Sequence, residues 1–118
     1  MAQSESEQRV ALLQSGMAKL TARFVQTLPE HIEAFDQLWD HLSEPEALNS
    51  SIHAISKRAH KLHGQAGSFG FPRIGALAAQ VEKEADNLLS AGDVPETDLL
   101  EELMAAMLDE IEDRIEAA

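Results

Sequence analysis

His60 and Glu82 are the residues of this 118-residue chain whose types and spacing point to chemistry. His60 sits in the stretch Ala59-His60-Lys61-Leu62-His63-Gly64-Gln65-Ala66-Gly67-Ser68-Phe69-Gly70, inside a run that otherwise reads as an amphipathic helix. Ile52, Ile55, Ala59, Leu62, Ala66 and Phe69 recur at steps of three and four, which at ~100° per residue makes one apolar stripe facing a core. His60 falls ~130° from the centre of that stripe, so its imidazole is available to a partner. His53, Ser56, Lys57, His63, Gly64 and Gly67 lie within ~60° of it and form a polar, partly basic strip. Glycine inside a helix costs roughly 0.5–1 kcal/mol relative to alanine. Gly64 and Gly67 beside a histidine therefore predict that another surface comes close, with Gly64 providing the clearance. Glu82 stands 22 positions after His60, and their midpoint, residue 71, lies in the turn Phe69-Gly70-Phe71-Pro72. In an antiparallel helix pair, residues equidistant from the turn share a height. Glu82 is thus predicted to lie level with His60, to within about one helical turn, ~5.4 Å.

His60, Leu62, Gly64, Ala66, Gly67, Phe69, Gly70, Leu77 and Glu82 together resemble the signature of the histidine-containing phosphotransfer (HPt) domain of bacterial and fungal phosphorelays. The resemblance spans about residues 20 to 92. It implies a four-helix bundle that relays a phosphoryl group through an exposed His60, between a sensor or hybrid histidine kinase and the aspartates of response-regulator receiver domains. Such transfer needs a neutral ring whose Nε2 lone pair points at phosphorus, and a group that accepts the Nδ1 hydrogen fixes that tautomer. The resemblance gives His60 the phosphoacceptor's role and Glu82 the orienting one. It also implies that catalytic Mg²⁺ belongs to the receiver, so that this chain carries no cofactor of its own, binds no metal and is not an enzyme with ATP-dependent kinase activity. Lys57, Lys61 and Arg58 stand close enough in sequence to meet phosphoryl oxygens. Where the family usually carries Lys or Arg three residues after the histidine, this chain has His63, a donor to phosphate when protonated. The receiver-facing set is then Lys57, Lys61, His63, Gly64 and Gly67. The alternative is a phosphotransfer-inactive helical-bundle adaptor that binds a receiver or kinase. His31, His41 and His53 read as packing or surface residues, and no Glu precedes any histidine at the i, i+3 spacing of di-iron bundles.

The elements that must position these residues are all helical, and the expected fold is an all-α, antiparallel up-and-down four-helix bundle with an additional N-terminal helix. Residues 1–6 read as a disordered tail and 7–118 as one domain. Val10, Leu13, Met17, Leu20 and Phe24 predict a first amphipathic helix ending before Pro29, either capping or extending the bundle or mediating dimerisation. Proline suits a first turn, so Leu28-Pro29-Glu30 reads as a break and restart. Ile32, Phe35, Leu38, Trp39 and Leu42 then form the core stripe of a second helix. The third runs from about Pro45 to Ser68 and carries the site. Ile74, Leu77, Val81, Ala85 and Leu88 line the fourth, where Gly75, Ala78 and Ala79 permit close approach to its predecessor. Leu100, Leu103, Met107, Ile111 and Ile115 line the last, whose acidic remainder reads as a solvated face.

Composition narrows the function classes. The chain carries a net charge of −12, which argues against nucleic-acid binding. Lys57, Arg58, Lys61, Arg73 and Lys83 against the single acid Glu82 make 57–83 a local +4, leaving −16 elsewhere. A positive island around one histidine steers that face toward an acidic partner. With no cysteine there are neither disulfides nor thiolate metal sites. No glycine-rich phosphate loop, membrane span or secretory signal is present, so a cytoplasmic protein is expected. Met1 and the closing amphipathic helix favour a free-standing carrier over a piece of a hybrid kinase.

Overall fold

The computed structural model describes residues 4–118, and these form four α-helices: α1 (Glu5–His41), α2 (Leu48–Ser68), α3 (Pro72–Ser90) and α4 (Asp98–Ala117). Among the described residues there is no strand. The core is built from the apolar stripes the spacing picks out. Phe24, Leu28 and Phe35 of α1 meet Ile52, Ile55, Ala59, Leu62 and Ala66 of α2, Ile74, Ala78, Val81 and Ala85 of α3, and Leu100, Met104, Met107 and Ile111 of α4. The contact of α2 with α3 is the most extensive, and α1 packs against both α2 and α4. Trp39 is half-buried against this core and donates its indole N–H to Glu101 Oε1 at 2.9 Å.

Two expectations for the N-terminal region are corrected. The additional N-terminal helix is not separate, because α1 runs unbroken through Pro29. Proline removes one backbone donor and crowds the carbonyl four residues back, at a cost of ~3 kcal/mol. Leu28, His31 and Phe35 are buried on the core side of α1 while Pro29 is exposed, so packing on both flanks holds the helical path. The Thr27 hydroxyl also donates to the Phe24 carbonyl at 2.6 Å, beside the site of the missing bond. Residues 4–6 of the expected tail belong instead to α1 and its cap. Ser4 caps α1 by accepting from the Glu7 amide at 3.2 Å, and the Glu7 carboxylate accepts from the Ser4 amide at 3.2 Å, a reciprocal capping box. Residues 1–3 of the expected tail lie outside the described residues.

The first stripe of α1 also behaves differently from the other four. Phe24 is its first buried member, whereas Val10, Leu13, Met17 and Leu20 are exposed. The helix therefore extends the bundle rather than capping it, and the molecule measures 68 × 26 × 18 Å.

Candidate functional site

The joint between α2 and α3 fixes the site. Beyond the end of α2 lies Gly70, whose φ of +83° is open to glycine at little cost, and the Phe71 amide donates back to the Ala66 carbonyl at 2.9 Å. Pro72 then opens α3 with the φ a helix needs. Phe69 and Phe71 fold onto Phe24 of α1, with ring centroids 5.3 and 5.5 Å apart. Past this turn the two helices approach closely at Gly75. A Cβ built there would stand 3.5 Å from the His63 carbonyl oxygen and 3.6 Å from the Gly67 nitrogen.

Two rungs further out, His60 meets Glu82. His60 Nδ1 lies 2.6 Å from Glu82 Oε2. A carboxylate only accepts, so Nδ1 carries a hydrogen, and the neutral tautomer that this contact selects presents a bare Nε2. The His60 side chain is 75% exposed while that of Glu82 is 23% exposed, so the carboxylate is tucked between the helices and the imidazole stands out from them. His63 Nδ1 approaches the other oxygen of the same carboxylate at 3.9 Å. A ring held this way is able to act as a nucleophile toward a group arriving from solvent. The model of the Hpt domain matches residues 19–115 of this chain. The chain belongs to the Hpt domain family. Neither the curated proteins nor the solved structures compared with it give a match.

Membership places the protein in two-component phosphorelays, where Hpt domains act as phosphotransfer carriers rather than classical enzymes and interact with histidine kinases and receiver domains. No described helix is long and apolar enough to cross a membrane. Among the described residues no cluster of three or more His, Asp or Glu could hold a metal ion.

In this Hpt domain the expected receiver-facing residues divide between two sides of His60. His63 lies on the α3 side, next to Glu82. Lys57 and Lys61 lie on the α1 side, where they line an open groove of about 540 Å³ with Ala34, Leu38, Ala54 and Arg58. Gly64 and Gly67 are exposed on the strip between, and a Cβ at either would meet nothing within 4 Å. Neither glycine is required by packing inside the bundle.

Arg58 is engaged by α1. Its Nη1 donates to Nδ1 of the buried His31 at 3.1 Å, which makes His31 a neutral acceptor with its proton on Nε2. Burial first, then the charges of Arg58 and Lys61, lower the His31 pKa below 6.5, against a smaller opposing effect of Glu30. Because the unfolded ring keeps the ordinary value, the unfolded chain binds the extra proton below about pH 6.5. Stability from this group is complete above that pH and is lost on acidification toward the lowered native value. The thermal midpoint is expected to fall as pH drops below 6.5, with a shallower fall in His31→Gln, measurable by thermal denaturation across pH.

Of two further interactions near the site, one carries little signal in the sequence. The His31–Arg58 contact joins residues 27 apart on different helices. Ser56, which projects into the polar strip, is instead buried and donates to Asp86 Oδ1 at 2.6 Å. The spacing rule that finds Glu82 opposite His60 also finds this second pair, since both share the midpoint 71.

Proposed function

We propose that this Hpt domain is a histidine phosphotransfer protein that relays a phosphoryl group between a sensor or hybrid histidine kinase and response-regulator receiver domains through His60. The contact of His60 Nδ1 with Glu82 at 2.6 Å on an otherwise exposed ring carries the reading. The Nε2 lone pair attacks the phosphorus of a receiver's aspartyl phosphate. The new P–N bond forms as the P–O bond to the aspartyl carboxylate breaks, and that carboxylate leaves as the anion. Glu82 keeps the Nδ1 proton in place and offsets the positive charge that develops on the ring. Transfer onward runs the same step in reverse on a second aspartate. Mg²⁺ comes with the receiver, and the chain needs no cofactor of its own. Lys57 and Lys61 on one side and His63 on the other are the candidate donors to phosphoryl oxygens, while Gly64 and Gly67 let the receiver's surface reach the ring. The site faces the cytoplasm, where such partners reside.

Three cross-helix approaches support an antiparallel, up-and-down order for α2 and α3: His60 with Glu82, Ser56 with Asp86, and Gly67 with Gly75. Each pair is centred on residue 71, as a hairpin requires.

The deciding experiment incubates the chain with phosphorylated receiver domains and follows label. Acid-labile, base-stable phosphate on the chain supports the relay, and no label from any receiver leaves an adaptor. Gly64→Gln separates access from folding. Its Cβ meets no neighbour, and glutamine is the better helix former by roughly 0.5–1 kcal/mol, so the fold should gain stability. Transfer should slow by about an order of magnitude, corresponding to ~1.4 kcal/mol of obstruction at the receiver's approach. Unchanged transfer rates would remove the clearance role.

A further inference from the structure

The first 19 residues of α1, Glu5 to Arg23, form ~28 Å of helix that precedes its first buried residue. Every residue from 4 to 20 is exposed. The Hpt match begins only at residue 19, so most of this overhang lies outside the family's portion of the chain. Val10, Leu13, Met17 and Leu20 follow one another at steps of three, four and three, and Phe24 comes four residues later. Their exposures are 52, 69, 48 and 43% for the first four, whereas Phe24 is buried against Phe69 and Phe71. This is the a and d pattern of a heptad with Val10 at a, a narrow seam of the kind that fits another helix. The flanking positions are polar, charged or small: Glu7, Gln14 and Thr21 on one side, Arg9, Gly16 and Arg23 on the other. A lone helix of this length is marginal in water, and Gly16 weakens it further.

We infer that the overhang is a dimerisation arm, and that the seam is covered by the same seam of a second copy running antiparallel. The charge distribution favours this occupant and this direction. Glu5, Glu7, Arg9, Lys19 and Arg23 give residues 5–23 a net charge of +1, and the remainder of the chain then carries −13. Parallel pairing would bring two strongly acidic bodies together. Antiparallel pairing holds them at opposite ends and lays the acidic tip of each arm, Glu5 and Glu7, along the basic root of the other, Lys19 and Arg23. In that register Val10 faces Leu20 of the second copy and Leu13 faces Met17. The tip then arrives beside Phe24, where the seam runs into the bundle core. A sector of about 150° on a cylinder ~11 Å across and ~28 Å long covers on the order of 400 Å² per copy. That is below the roughly 1,200 Å² total of standard interfaces, so the dimer is reversible and concentration-dependent. The arm leaves the reactive face open. His31 packs beside Arg58, so α1 reaches the level of His60 about seven residues beyond Phe24, ~10 Å further along the axis.

Sedimentation equilibrium on the full chain from roughly 1 μM to 1 mM spans the range of weak affinities. The mass is expected to rise from 12.9 kDa toward twice that value. The double variant Leu13→Glu, Met17→Glu should stay at 12.9 kDa throughout, with the bundle's cooperative melting and its phosphate acceptance retained because both positions are exposed. A wild-type mass of 12.9 kDa at every concentration, or a double variant that dimerises as wild type does, overturns the arm. Direction is tested by disulfide trapping in this cysteine-free chain. Val10→Cys mixed with Leu20→Cys should cross-link, and efficient cross-linking of Val10→Cys with itself would overturn the antiparallel order.

Discussion

His60→Gln is expected to reduce phosphate acceptance to background without unfolding the protein. The substitution removes the ring nitrogen of the imidazole that Glu82 holds, and an amide offers phosphorus no comparable nucleophile. Its structural cost is small for two reasons. The side chain is 75% exposed, and a glutamine amide can still donate to Glu82 in place of Nδ1. Exposed substitutions of this kind fall within about 0.5 kcal/mol of neutral. The measurement pairs receiver-to-carrier transfer with thermal denaturation of the same variant. Persistence of acid-labile label would move the phosphoacceptor elsewhere, His63 being the next ring on the helix. A collapse in melting temperature would instead show that residue 60 is part of the core.

The second large effect is expected at Glu82. Hydrogen bonds to charged groups contribute ~1.5–3 kcal/mol, so Glu82→Ala should slow phosphorylation of His60 by roughly 10- to 100-fold. Receiver binding, measured by calorimetry, should change little because the carboxylate is tucked between α2 and α3 rather than displayed. Glu82→Gln divides the two contributions. Its amide oxygen still accepts from Nδ1–H and holds the tautomer, but it supplies no negative charge to the developing cation. A rate for Glu82→Gln between those of Glu82→Ala and wild type is expected. Equal rates in wild type and Glu82→Ala would show that the 2.6 Å contact is incidental to transfer.

The meeting of α2 with α3 was legible in the sequence because one rule governs it. A turn marked by Gly70 and Pro72 fixes the midpoint, and equal distances on either side fix which residues meet. His60 with Glu82 follows from that rule, and the close approach at Gly75 follows from the small residues Gly75, Ala78 and Ala79. Pro29 was misleading for a different reason. Local propensity makes proline a stop, but the burial of Leu28, His31 and Phe35 outweighs the lost hydrogen bond. Arg58 illustrates a third limit. Its place beside His60 in sequence suggested a phosphate ligand, whereas the α1–α2 packing turns it toward the buried His31. Glu110 does the same for the acidic face of α4, which is not wholly solvated. That carboxylate is buried and lies 3.5 Å from Arg73 Nε and 3.8 Å from Arg114 Nε. In both cases a partner, His31 for Arg58 and Arg73 for Glu110, comes from another helix that spacing along a single helix does not reveal.

The joint at Gly75 makes the two long helices behave like the arms of calipers. One methyl at this pivot would rest in ordinary contact with the backbone of α2, and a bulkier group would wedge the arms apart. Glu82 hangs seven residues, about two turns, farther out on the same arm, so any wedge at the pivot is read there as a wider jaw. The distance between His60 and Glu82 therefore depends on a residue two turns away that touches neither.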